Sequence, residues 1–111
     1  MNNNNALKIF AALSQETRLQ VLRVLVKHGK QGIAAGVLSD KLGIPHNTLS
    51  FHLSHLSNAD LVESRKQGRS IIYSVNIDAL QGLVRFLLKD CCAIDKSTCN
   101  DVENLMKSCA C

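Results

Sequence analysis

Apolar residues recur with helical spacing in five stretches of this chain and with strand-like alternation in one region between the fourth and the fifth. Ala6 to Leu13 reads as a short first helix. Ser14 is placed to cap a second helix, and Glu16 falls in its first turn, where a carboxylate meets the positive end of the helix dipole. Within it Leu19, Leu22, Leu25 and Val26 share one face, and Gly29 ends it as glycine does just past a helix. A third helix is predicted over Ala35 to Leu42, burying Val37, Leu38 and Leu42 and stopping at Gly43. Pro45 is tolerated at the first position of a helix, where its missing N–H would be an orphan anyway, so a fourth helix is predicted from Pro45 to about Ala59. Two helices joined by a short turn containing glycine form a helix-turn-helix.

Leu61 to Arg65 and Ser70 to Val75 alternate or run apolar with β-branched members, and the Lys66 to Arg69 segment between them carries a glycine, so the pair is predicted to be a hairpin. Arg65, Lys66 and Arg69 gather three cations around its turn. The fifth helix should run from Ile77 to about Asp90. At about 100° per residue Ile77, Leu80, Leu83, Val84, Leu87 and Leu88 cover an arc of about 140°, with Phe86 outside it, which is more than one small domain needs to bury. A partner subunit is the natural cover. The predicted fold is therefore mainly α with a β-hairpin wing, a winged helix-turn-helix of five helices.

The fourth helix carries the most chemistry. Leu49, Leu53 and Leu56 define its core face, while Asn47, Phe51, Ser54 and Asn58 collect opposite, flanked by Ser50 and His55. No acid lies between Pro45 and Ala59, so nothing there repels phosphate. His46, Asn47 and Ser50 can hydrogen-bond base edges in a major groove, and a thymine methyl would cover Phe51. The cations of the hairpin suit the adjoining backbone.

At 111 residues the chain suffices for one compact domain and not two. Apolar residues make up 46% and charged ones 20%, which excludes a disordered chain, and no apolar run approaches the roughly 20 residues of a membrane span. Charge divides unevenly. Residues 1–90 hold 11 Lys and Arg against 6 Asp and Glu, and residues 91–111 hold 2 against 3. All five cysteines, Cys91, Cys92, Cys99, Cys109 and Cys111, fall in the second part. The expected organisation is a DNA-binding and dimerisation domain over residues 1–90 followed by a cysteine-rich sensing tail over 91–111. The N-terminus lacks signal-peptide character, so a reducing cytoplasm is the expected setting, in which clustered thiols point to metal or redox chemistry. The four histidines lie away from these thiols in sequence, and no nucleophile with a partnering base stands out, so an enzyme is not expected.

The stretches Ala12 to Leu19 with Val21 and Leu22, Leu38 to Gly43, Leu49 to Leu53, Ala59 to Val62 and the wing from Arg65 to Tyr73 resemble the ArsR/SmtB winged helix-turn-helix repressors. The resemblance implies a homodimer built on the first and last helices that binds palindromic double-stranded operator DNA and leaves it when a thiophilic ion binds. It places His46, Asn47, Ser50 and Phe51 at base-contacting positions and Arg69 where the wing meets DNA, and gives His52 a positioning role. Two sensing sites common in the family are missing: Val37 to Leu42 holds no thiol, and Ile77 to Asp90 holds no histidine. The tail is similar to that of members whose arsenite site begins with a Cys-Cys pair at the end of the last helix and closes with a downstream cysteine. As(III), a soft three-coordinate centre, takes three thiolates, and on this likeness Cys91, Cys92 and Cys99 are its expected ligands; Sb(III) or an organoarsenical fits the same set. A thiol redox switch, or a Cd(II), Pb(II) or all-cysteine Zn(II) site, stays open as an alternative, and no role follows for Cys109 and Cys111.

Overall fold

A computed structural model describes residues 1–89 together with Ser97, Asn100, Asp101, Glu103 and Asn104. All five cysteines, including the expected ligands Cys91, Cys92 and Cys99, lie outside the described residues. In chain order the elements are α1 (Asn3–Leu13), α2 (Glu16–His28), a 3-10 turn (Gly29–Gln31), β1 (Ile33–Ala34), α3 (Ala35–Leu42), α4 (His46–Asn58), β2 (Val62–Gln67), β3 (Ser70–Val75) and α5 (Ile77–Leu88). The five helices and the hairpin fall where the apolar spacing predicts them.

The core sits where the helices converge on the root of the sheet. Ile9 of α1, Val21 and Leu25 of α2, Leu38 of α3, and Leu49, Leu53 and Leu56 of α4 are almost wholly buried, with Leu61 beneath the start of β2. Burying such a side chain contributes about 1.5–3 kcal/mol relative to leaving it exposed, so α4 is anchored by three of these at i, i+4 and i+7. Leu83 joins from α5.

The structure corrects the sequence reading in several places. α1 begins three residues early because Asn2 Oδ1 accepts from Asn5 N at 2.9 Å. Ser14 does not cap α2. Its hydroxyl turns back to the Ala11 carbonyl, and Gln15 Oε1 takes the Arg18 N–H instead. Leu19, Val26 and Val37 are exposed: the inward face of α2 is set by Val21, Leu22 and Leu25, one step around the helix from the stripe expected. Phe86 is half-buried against the core, whereas Val84 and Leu87 are exposed. α4 starts at His46, Pro45 serving as its cap residue.

The hairpin extends further than expected, pairing Val62 with Val75 through to Gln67 with Ser70. Gly68 has positive φ and Arg69 does not, the pattern of a type II′ turn with glycine first. A third strand was not foreseen. β1, only two residues long, pairs antiparallel with β3 through Ile33↔Tyr73 and Ala34↔Ile72. Gly32 lets it approach, since its φ of +73° and the position of the Tyr73 carbonyl leave no room for a Cβ.

Candidate nucleic-acid interface

α3 ends where Gly43 takes the left-handed conformation, and its N–H and that of Ile44 return to the Asp40 and Ser39 carbonyls. The buried Ser39 hydroxyl donates to the Ile44 carbonyl, fixing the turn from inside. Pro45 at φ −57° then launches α4. The result is a rigid connection of three residues between the two helices of the helix-turn-helix.

On α4 the core residues occupy one side, and His46, Asn47, Ser50 and Phe51 lie together on the exposed other side. Phe51 is 58% exposed, an outlay of apolar surface with no counterpart on the core side of this helix. Asn47 Oδ1 accepts from Thr48 N at 3.0 Å, which leaves its amide N–H groups to face outward. The Ser54 hydroxyl is spent on the Ser50 carbonyl, at 2.9 Å, so Ser54 is the less available donor of the two serines. Arg69 stands apart from this cluster, exposed at the turn of the hairpin.

Two arginines differ from what their sequence positions suggest. Arg65 is not a free cation of the wing: its guanidinium donates to the Gln31 carbonyl at 2.6 Å and the Lys30 carbonyl at 3.4 Å, bracing the hairpin against the turn after α2. Arg18, absent from the predicted site, reaches from α2 to α4. Its Nε–H donates to His52 Nδ1 at 3.2 Å, and its Cζ lies 5.8 Å from the centre of the Phe51 ring. Phe51 in turn meets His55 edge-on, with ring centres 4.7 Å apart. No periodicity could have revealed Arg18, because its partner is 34 residues away.

His52 is only 8% exposed, and the Arg18 bond requires its Nδ1 to be unprotonated. Burial holds its pKa below the usual histidine value, and the charges of Arg18 and His55 act in the same direction. The neutral imidazole is thus a structural acceptor beneath the reading face and not part of that face. Among the described residues no cluster of His, Cys, Asp and Glu could hold a metal ion, and no helix is long and apolar enough to cross a membrane.

A helix-turn-helix domain family matches residues 13–65, from the end of α1 into β2. An uncharacterised HTH-type transcriptional regulator of Bacillus subtilis, YceK, is 36% identical over 74 residues, covering 67% of this chain and 73% of its own. The transcriptional repressor SdpR of the same organism is 32% identical over 88 residues, covering 79% and 89%. Among solved structures, an ArsR-like transcriptional regulator from Rhodococcus superposes with a TM-score of 0.71 at 30% identity, covering 90% of this chain and 92% of that one. The homodimeric winged helix-turn-helix DNA-binding domain of Mb0332 from Mycobacterium bovis gives 0.62 at 27% identity, covering 78% and 81%. These relatives regulate transcription and are not enzymes, and the match in both sequence and fold spans the helix-turn-helix and its wing: the chain belongs to the ArsR-like winged helix-turn-helix transcriptional regulators.

Proposed function

We propose that the chain is a repressor that binds a palindromic operator as a homodimer and is released when As(III) binds Cys91, Cys92 and Cys99. The observation that carries the DNA reading is the exposed Phe51 within an acid-free helix face formed with His46, Asn47 and Ser50. An apolar ring held out among hydrogen-bonding side chains matches the mixed surface of a major groove, where thymine methyls alternate with donors and acceptors. Arg69 on the wing supplies a backbone contact beside it. A repressor and a homodimeric DNA-binding domain among its relatives support both the sense of regulation and the assembly.

The dimer surface runs along α1 and α5, where Leu7, Phe10, Val84 and Leu87 are exposed. Two reading helices related by that interface would meet successive major grooves about 34 Å apart. The sensing reading rests on donor chemistry: three thiolates suit As(III) or Sb(III), and the body of the chain contains no thiol at all. Cys91 follows the last residue of α5, Leu88, by three positions, so a ligand there acts on the end of the dimer helix. Emptying an occupied operator from 99% to 1% needs about 5.5 kcal/mol of coupling, which two sites per dimer at about 1–3 kcal/mol each would largely supply.

A mobility-shift titration tests both halves. Wild type should bind a palindromic duplex and release it with arsenite, and Cys91→Ser, Cys92→Ser and Cys99→Ser should each stay bound. Release by Cd(II), Pb(II), Zn(II) or peroxide, with no response to arsenite, would reassign the tail to the alternative chemistry. Loss of response in Cys109→Ser and Cys111→Ser alone would refute the trithiolate.

A further inference from the structure

Beside the reading face, an open cleft of about 490 Å³ lies between α1, the first turn of α2 and the C-terminal half of α4. Its polar lining is Lys8, Arg18, His55 and Asn58 over a floor of alanines, with no carboxylate among the described residues. Asp60 borders a separate cleft on the other side of Lys8.

Arg18 is held ready for a ligand. Its Nε is spent on His52 and its plane rests near the Phe51 ring, which leaves Nη1 and Nη2 without a partner among the described residues. A guanidinium whose orientation is already fixed loses little freedom on binding, and its two terminal N–H groups suit an oxyanion. Lys8 adds a second cation, likewise unpaired among the described residues. It sits about 100° and 160° around α1 from Leu7 and Phe10, so a partner covering that apolar stripe leaves Lys8 open to solvent. The Asn58 amide and the His55 imidazole complete a ring of donors around a space fit for a tetrahedral anion.

The cleft shares Arg18 and His55 with the surroundings of Phe51, so whatever fills it lies next to the bases that Phe51 would touch. We infer that this cleft seats one phosphate of the operator backbone per protomer, clamping the strand beside the reading helix; the inference rests on the DNA-binding reading above. Free phosphate offers the same chemistry, and the test separates the two sources.

The full chain and its Lys8→Gln and Asn58→Ala variants, both at exposed positions, would be titrated with the operator duplex and with a scrambled duplex over a range of salt. Neutralising one phosphate contact lowers the slope of log K against log[salt] by about 0.9, so Lys8→Gln should lower it by about 2 per dimer and weaken binding to both duplexes by the same factor. Asn58→Ala should weaken both several-fold with the slope kept, and Phe51→Ala should weaken the operator alone. An unchanged slope in Lys8→Gln, with wild type binding normally, overturns the inference and leaves the DNA reading intact. Failure of wild type to bind any duplex takes down both. In a parallel titration of DNA-free protein with inorganic phosphate, followed by amide shifts at His55 and Asn58, saturation in wild type but not in Lys8→Gln, together with an unchanged slope, replaces the operator with the free anion.

Discussion

A single neutral histidine ties the scaffold to the reading helix, and this gives the protein a pH dependence that can be worked out in sign. His52 has its pKa lowered in the fold, chiefly by burial and then by Arg18 and His55. The folded state therefore binds fewer protons than the unfolded one, whose histidine titrates near about 6.5. Stability from this group is fully present above that value and is lost as the pH falls below it toward the lowered folded value. Thermal unfolding should thus show a midpoint that drops between pH 7.5 and 5.5 in wild type. His52→Gln keeps an acceptor for Arg18 but does not titrate, so its midpoint should drop less; a fall as steep as wild type's would remove His52 as the source. The contrast between Phe51 and Arg18 shows what a sequence makes legible at this scale. Phe51, with His46, Asn47 and Ser50, stands out because helical periodicity places it opposite Leu49, Leu53 and Leu56. Arg18 cannot stand out, because its importance arises from a bond across 34 residues of chain.

Among the elements, the junction of α4, β2 and α5 is held by one side chain. Asn76 Oδ1 caps α5 by accepting from Ala79 N at 3.3 Å, while its Nδ2 donates to the Asp60 carbonyl at 2.9 Å and its backbone N–H to the Leu61 carbonyl at 2.8 Å. Asp60 itself turns the chain with a positive φ of 60°, a conformation aspartate tolerates better than most residues. Asn76→Ala removes a cap worth about 1 kcal/mol and a further hydrogen bond worth about 1 kcal/mol. Chemical denaturation should show a loss of about 2 kcal/mol with the slope on denaturant unchanged; a loss below about 0.5 kcal/mol would mean that water replaces both bonds. The elements that sequence reading located well, α3 and β3, owe this to local signals: Gly43 at a helix end and a β-branched run beside a glycine turn. The start of α1 and the cap of α2 are not legible in the apolar spacing because they are set by polar side chains, Asn2 accepting from Asn5 N and Gln15 from Arg18 N, while the Ser14 hydroxyl turns back to the Ala11 carbonyl. Nor is β1, because two residues carry no periodicity and become a strand only when β3 is alongside.

For the whole molecule, the exposed apolar stripes decide what the isolated chain is for. Leu7 is 64% exposed on α1 and Leu87 56% on α5, while the Phe86 side of α5 packs inward. The fold thus spends one side of α5 on its own core and leaves the other open to a second copy, which explains why the apolar arc read from sequence exceeds what a single domain buries. If that second copy is what aligns two reading helices, breaking the interface should separate dimerisation from folding. Leu87→Glu places a charge at the centre of the stripe and changes nothing in the buried core, so the variant should keep its helical circular dichroism and sediment as a monomer. Its affinity for a full palindrome should fall on the order of 100-fold, the avidity lost when two linked sites become one, while its affinity for a single half-site stays close to that of wild type. A monomer that still bound the palindrome as tightly as wild type would show that the two reading helices act independently, and a tail ligand acting through α5 could then have no route to the operator. A variant that remained dimeric would instead place the interface elsewhere, with Leu19, Val26 and Val37 as the next exposed apolar positions to substitute.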